Sequence, residues 1–117
     1  MAHHQFEPQL YHTSIGSHEP ELHIADGDTV STTTVDAAGH DASNKSVTPG
    51  GNPQTGPFYI EGAELDDSIA VTFDRLAPNR KFGYTNSGIA ANVLDFGYVP
   101  KFDDDVGRVE WEIDFDN

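Results

Sequence analysis

The chain of 117 residues contains no cysteine. That excludes a disulfide framework, a thiolate metal centre and a cysteine nucleophile. Basic residues are scarce: six Lys plus Arg stand against 20 Asp plus Glu, for a net charge of −14. A surface so negative repels phosphates, which argues against nucleic acid and anionic membrane as partners. Long apolar runs are missing as well. Ile69-Ala70-Val71 is typical, so no transmembrane helix is expected. Met1-Ala2-His3-His4-Gln5 has neither a basic nor an apolar region of a signal peptide, and the chain is read as cytoplasmic. The length fits about one domain.

The acidity itself has two readings. Net charge keeps a protein dispersed, or it reflects adaptation to high salt, where a Debye length of about 3 Å screens self-repulsion. Three Lys beside thirteen Asp favour the second.

What is present is strand signal. Val109, Trp111, Ile113 and Phe115 alternate with Arg108, Glu110, Glu112 and Asp114, the pattern of a strand with one wet face. Ser68 to Phe73 repeats it, with Ile69, Val71 and Phe73 expected inward. Thr29 to Asp36 is rich in Thr and Val, and Phe58-Tyr59-Ile60 and Leu22 to Ile24 are shorter runs. Asp26-Gly27-Asp28 reads as a hairpin turn. Two irregular stretches, a long Gly- and Pro-rich one from Gly39 to Pro57 and another from Ala77 to Gly88, separate these runs. No internal repeat is read, and Ile89 to Leu94 is too short to be read as a helix. The fold class expected is all-β, a sandwich, jelly roll or barrel, with residues 1–10 a flexible terminus and 11–117 the β domain. An amphipathic last strand followed by Asp116-Asn117 calls for pairing by a partner chain or by sequence beyond it.

Candidate chemistry is sparse. His12, His18 and His23 match no helical metal motif. Asp36, His40 and Glu61 would make a carboxylate–imidazole set for a divalent ion if the long loop met the strands; otherwise they are solvated loop residues. Asp103-Asp104-Asp105 lacks the calcium-loop pattern, and no nucleophile elbow, phosphate loop or dinucleotide fingerprint occurs. The sequon Asn44-Lys45-Ser46 is read as chance.

The block Asn52-Pro53-Gln54-Thr55-Gly56-Pro57-Phe58-Tyr59-Ile60-Glu61-Gly62-Ala63-Glu64 resembles a block of the acetamidase/formamidase family. Gly27-Asp28-Thr29-Val30, Gly16-Ser17-His18-Glu19-Pro20, Pro78-Asn79-Arg80, Gly88-Ile89-Ala90 and Trp111-x-Ile113-Asp114 resemble further landmarks of it. The likeness runs from about Tyr11 to Asp114 and departs at Glu64-Leu65-Asp66-Asp67, where members often read Glu-Pro-Gly-Asp. Members are several times longer, so the chain is expected to be the first part of such an enzyme. The resemblance implies hydrolysis of formamide or acetamide to the acid and ammonia, a β-rich fold, homo-oligomers or association with the remainder of the enzyme, and a divalent metal (zinc, with calcium the alternative). It casts Asp36 and Glu61 as ligand or general base, beside His40 as the further ligand of the set above, and Asn52 and Thr55 as substrate-positioning residues. A metal-activated water is then the expected nucleophile. The competing expectation is a non-catalytic half that assembles with a partner chain or with itself.

Overall fold

The computed structural model describes residues 1–86, 91–93, 95–98 and 107–115. These form β1 (His3–Gln5), β2 (Leu22–Ile24), β3 (Thr29–Ser31), β4 (Phe58–Ile60), β5 (Phe82–Asn86), a single 3₁₀ turn (Ala91–Val93) and β6 (Arg108–Glu112). The protein is all-β. Its described strands pair as three separate two-stranded sheets, with no closed barrel among them. The chain divides into two compact units, Met1–Asn79 and Arg80–Asn117.

In the first unit both pairs are parallel. β1 runs beside β3 with His4 opposite Val30, and β2 beside β4 with His23 opposite Tyr59. Parallel neighbours need a long crossover, and here each crossover carries a strand of the other pair. The ladders extend past the strands: Phe6 N–H donates to Ser31 O at 2.9 Å, Glu21 N–H to Pro57 O at 2.9 Å, and Glu61 N–H to Ile24 O at 2.8 Å. Leu22, Ile24, Phe58 and Ile60 form the half-buried face of the second pair, and His23 and Tyr59 point to solvent. Phe6 meets Phe58 edge to face at 5.2 Å.

The Asp26-Gly27 turn forms but makes no hairpin. Asp28 N–H donates to Ala25 O at 3.1 Å, and of the two central residues only Gly27 has positive φ, at 80°. A hairpin of the primed type I geometry needs positive φ at both, and the unprimed form splays the strands. β2 and β3 therefore leave the turn for different partners. The loose terminus expected at residues 1–10 contains β1, fastened by the Asp28 carboxylate. That side chain, 8% exposed, accepts from Ala2 N–H at 2.6 Å and Ala25 N–H at 3.0 Å, and meets His4 Nε2 at 2.9 Å.

The loop after β3 is ordered by a repeat that composition alone hides. Asp36-Ala37-Ala38-Gly39-His40 and Asp41-Ala42-Ser43-Asn44-Lys45 are tandem five-residue units. In each, the Asp Oδ1 accepts from the backbone N–H two and four residues on: Ala38 (3.0 Å) and His40 (2.9 Å), then Ser43 and Lys45 (both 2.9 Å). In each, the Asp N–H donates to the fifth residue's carbonyl and the fourth residue's N–H returns to the Asp carbonyl, at 2.9–3.0 Å. The fourth positions, Gly39 and Asn44, have φ of 85° and 60°. This is the turn-plus-bulge geometry in which Asp opens and a left-handed residue closes. Gly39 is obligatory for a second reason, because a Cβ there would lie 2.0 Å from Thr48 O.

Ser68 to Phe73 is not a strand. Ile69, Val71 and Phe73, expected inward, are 64%, 72% and 75% exposed. No large apolar side chain is buried among the described residues, so an alternating segment has no layer to lie on.

In the second unit β5 and β6 are antiparallel, Phe82 opposite Glu112 and Asn86 opposite Arg108. The final strand thus finds its partner in the preceding segment, within a stretch expected to be irregular. The Arg108 guanidinium lies 3.9 Å from the Tyr84 ring and pairs with Glu110 at 3.1 Å, and Arg80 lies 4.6 Å over Phe82. The wet face of this pair thus carries aromatic and guanidinium groups from both strands, and every residue of β6 stays exposed. On the apolar face Trp111 stands opposite Gly83, which offers no side chain, and remains 57% exposed. Gly88-Ile89-Ala90, Asp103-Asp104-Asp105 and Asp116-Asn117 lie outside the described residues.

Candidate functional site

The conspicuous block 52–64 passes through two places where chemistry-bearing side chains meet. At its far end, Glu61 follows β4 and its N–H joins the β2 ladder. Parallel register places His23 beside Tyr59, on the same open face. His23 Nδ1 and Glu61 Oε1 are 2.7 Å apart, and the Tyr59 ring leans on the imidazole at 4.8 Å between centroids. With Nδ1–H donated to the carboxylate, Nε2 carries the free lone pair. A carboxylate that fixes the imidazole tautomer in this way makes the imidazole an effective proton acceptor. Both side chains are more than half exposed, 59% and 57%. Glu61 is a predicted residue; His23 is not. Thirty-eight residues separate the pair, and the signal that could join them is the matched alternation of Leu22-His23-Ile24 with Phe58-Tyr59-Ile60.

At its near end, Gln54, Thr55, Gly56 and Pro57 form one wall of a half-open pocket of about 110 Å³; His12, Ser14, Ile15, Gly16 and His18 form the other. Gln54 N–H donates to His12 O at 2.9 Å, tying the walls together. A tight turn, His18 N–H to Gly16 O at 2.9 Å, folds the 12–18 segment back on itself. The imidazoles of His12 and His18 then stack at 3.8 Å with 10° between their planes. His18 Nε2 donates to Ser14 O at 2.9 Å. His12 Nε2 is enclosed without a hydrogen-bond partner. Thr55 lines the pocket, and its hydroxyl donates to Thr33 O at 3.0 Å.

The remaining predicted residues serve the loop. Asp36 Oδ1 caps the first five-residue unit, and His40 Nδ1 approaches it at 3.4 Å without hydrogen-bond geometry. Asn52 has φ of 60° and closes the loop through N–H to Ala37 O at 3.1 Å. Asp36 with His40, and Glu61 with His23, are thus two separate pairs. Among the described residues no three His, Asp or Glu side chains stand together as a metal-binding group. The expected trio of Asp36, His40 and Glu61 is not assembled, because turn hydrogen bonds hold the first carboxylate and an imidazole holds the other.

One carboxyl group is strongly perturbed. The Ala2 N–H, then the His4 side chain and the Ala25 N–H, hold the Asp28 carboxyl well below the usual carboxylate range. It anchors a strand rather than facing the pocket.

No protein-family model, curated protein or solved structure matches this chain. Among the described residues no helix is long and apolar enough to cross a membrane.

Proposed function

We propose that the chain is part of a short-chain amide hydrolase of the acetamidase/formamidase kind, acting on formamide or acetamide. The observation that carries this reading is that the block 52–64, which bears the resemblance, both lines the pocket through Gln54–Pro57 and supplies Glu61 to His23. In this reading His23 Nε2 takes a proton from water as the oxygen adds to the amide carbonyl carbon. The proton passes to the amide nitrogen, the C–N bond breaks, and the acid and ammonia leave. Glu61 holds the imidazole in the tautomer whose Nε2 can accept that proton. Thr55 and Asn52 shape the wall and the loop behind it. The divalent ion, zinc or calcium, belongs to the proposal only with ligands beyond Asp36, His40 and Glu61, which do not converge, so no step is routed through it. A cytoplasmic location in a salt-rich cell completes the reading.

The test is ammonia release from formamide and acetamide in molar KCl, with Zn²⁺ or Ca²⁺ supplied in separate arms. Release that falls at least about a hundredfold in Glu61→Gln supports it; no release in any arm overturns it.

A second reading has its own observation. Leu65, Ile69, Val71, Phe73 and Leu76 are all more than 60% exposed, and a run of such residues marks a surface to be covered. The chain is then a structural half that assembles with a partner chain or with copies of itself. Sedimentation showing a monomer at molar salt, alongside ammonia release, would exclude assembly with copies of itself.

A further inference from the structure

We infer that His23 is an acyl-accepting nucleophile toward activated aryl esters, an activity separate from amide hydrolysis. Among the six histidines it stands apart. His3 Nε2 lies 2.7 Å from Ser31 Oγ, His4 Nε2 2.9 Å from Asp28 Oδ2, and His18 Nε2 2.9 Å from Ser14 O. His12 Nε2 and His40 Nδ1 are enclosed without partners. In His23 the two nitrogens are divided. Nδ1 is held 2.7 Å from Glu61 Oε1, and no described residue engages Nε2. The side chain is 59% exposed, on the open face of the β2–β4 pair. A carboxylate on Nδ1–H fixes the orientation of the Nε2 lone pair and raises its electron density, which activates an imidazole toward an acyl carbon.

The leaving group decides which role this nitrogen plays. In an aryl ester the Nε2 lone pair forms an N–C bond at the carbonyl carbon. The C–O bond breaks, and its electron pair leaves on the aryl oxide, a resonance-stabilised anion. Water then adds to the acyl carbon of the acylimidazolium, the N–C bond breaks, and the carboxylic acid leaves. The imidazole returns to its neutral form by losing a proton to solvent. In an amide the nitrogen anion leaves less readily than imidazole, so an adduct at Nε2 collapses back to the amide, and only the attack by water proposed above remains. Tyr59 adds the aryl preference. It stands beside His23 in parallel register, and its ring, 44% exposed, leans on the imidazole at 4.8 Å. An aryl group stacked on that ring sets the ester carbonyl beside Nε2. This reactivity shares the His23–Glu61 pair with the hydrolase proposed above, but neither its substrate nor its step.

The experiment follows p-nitrophenol release from p-nitrophenyl acetate by the full chain in molar KCl at pH 8, in H₂O and in D₂O. His23→Gln, which keeps every other histidine, should lower the rate at least about tenfold. D₂O should leave the wild-type rate unchanged, since no proton moves as the N–C bond forms. Tyr59→Leu should lower the rate about threefold. In parallel, substoichiometric diethyl pyrocarbonate followed by peptide mapping should mark His23 first. That labelling uses the unaltered chain, so it does not depend on how the variants fold. An unchanged rate in His23→Gln or a first mark on another histidine overturns the proposal. So does a clear slowing in D₂O, which would make His23 a base only. An unchanged rate in Tyr59→Leu overturns the aryl preference. Ester turnover without ammonia release from amides would keep this reactivity and remove the hydrolase; ammonia release with His23 inert toward the ester would do the reverse.

Discussion

Residues 36–57 and residues 61–79 flank β4 in sequence and are opposite in composition. The first is polar, rich in Gly and Pro, and almost without bulky apolar side chains; the second carries Leu65, Ile69, Val71, Phe73 and Leu76. Pattern alone favours order in the second, yet the structure reverses this. The polar segment is closed by two Asp-capped units, by Val47 N–H to Gly39 O at 2.9 Å and by Gly51 N–H to Ala37 O at 3.0 Å. The apolar segment forms no strand, and its large side chains face solvent. Turn order is local, set by side chains that satisfy backbone groups a few residues away. Strand order is not local, because an alternating segment needs an edge to pair with and a layer to cover it.

The largest effect should come from the glycine where the polar loop turns. Gly39→Ala meets Thr48 O and a φ of 85° together, and should cost more than about 2 kcal/mol. Denaturant unfolding of the first unit reads it. A loss below about 0.5 kcal/mol, the size of an ordinary surface substitution, would mean that the loop is not closed as described. Asp36→Ala comes next, because it strips one acceptor from two N–H groups, at about 1–2 kcal/mol. Asp41→Ala, more peripheral but geometrically equivalent, should follow at about 1 kcal/mol. Unequal protection of the His40 and Lys45 amides in hydrogen exchange, before any mutation, would break the equivalence of the two units.

That equivalence shows what the sequence made legible. Leu22–Ile24 and Phe58–Ile60 are recognisable as strands because half-buried residues bracket one exposed residue in each. β1 is not recognisable, since His3-His4-Gln5 has no apolar pattern and its place depends on a carboxylate 24 residues away from His4. β5 is hidden by Gly83, whose missing side chain interrupts the alternation opposite Trp111. Glu61 is found by motif, and its partner His23 only through parallel register. Asp36 is conspicuous for its position at the end of a Thr-rich run, and its use as a turn cap is written in the same five residues that repeat at Asp41.

Acid should loosen the anchored terminus. The Asp28 carboxyl is depressed by its donors, so its contribution is present above the ordinary carboxylate pKa of about 3.9 and is lost as pH falls below it. Lowering pH through that range should release β1 from β3, seen as faster exchange of the Thr29 amide, which donates to Ala2 O at 2.9 Å. Asp28→Asn should flatten that dependence; an unchanged pH profile in the variant would place the acid sensitivity elsewhere.

The smallest expected effect falls in the apolar segment, and it separates the two functional readings. Val71 is 72% exposed in a segment that pairs with nothing as a strand. Val71→Thr keeps the β-branch, removes apolar surface, and should change the stability of the isolated chain by no more than about 0.5 kcal/mol. Such a near-zero result has content only beside a second measurement. If copies of the chain cover this segment, the same substitution should lower self-association in molar KCl, where the charge of −14 is screened, and should do little at low salt, where repulsion already keeps copies apart. A change in association without a change in monomer stability would assign the exposed residues to an interface between copies. A loss of monomer stability well beyond that limit would instead show that Val71 is packed within the chain, and the contrast between the two segments would fail there.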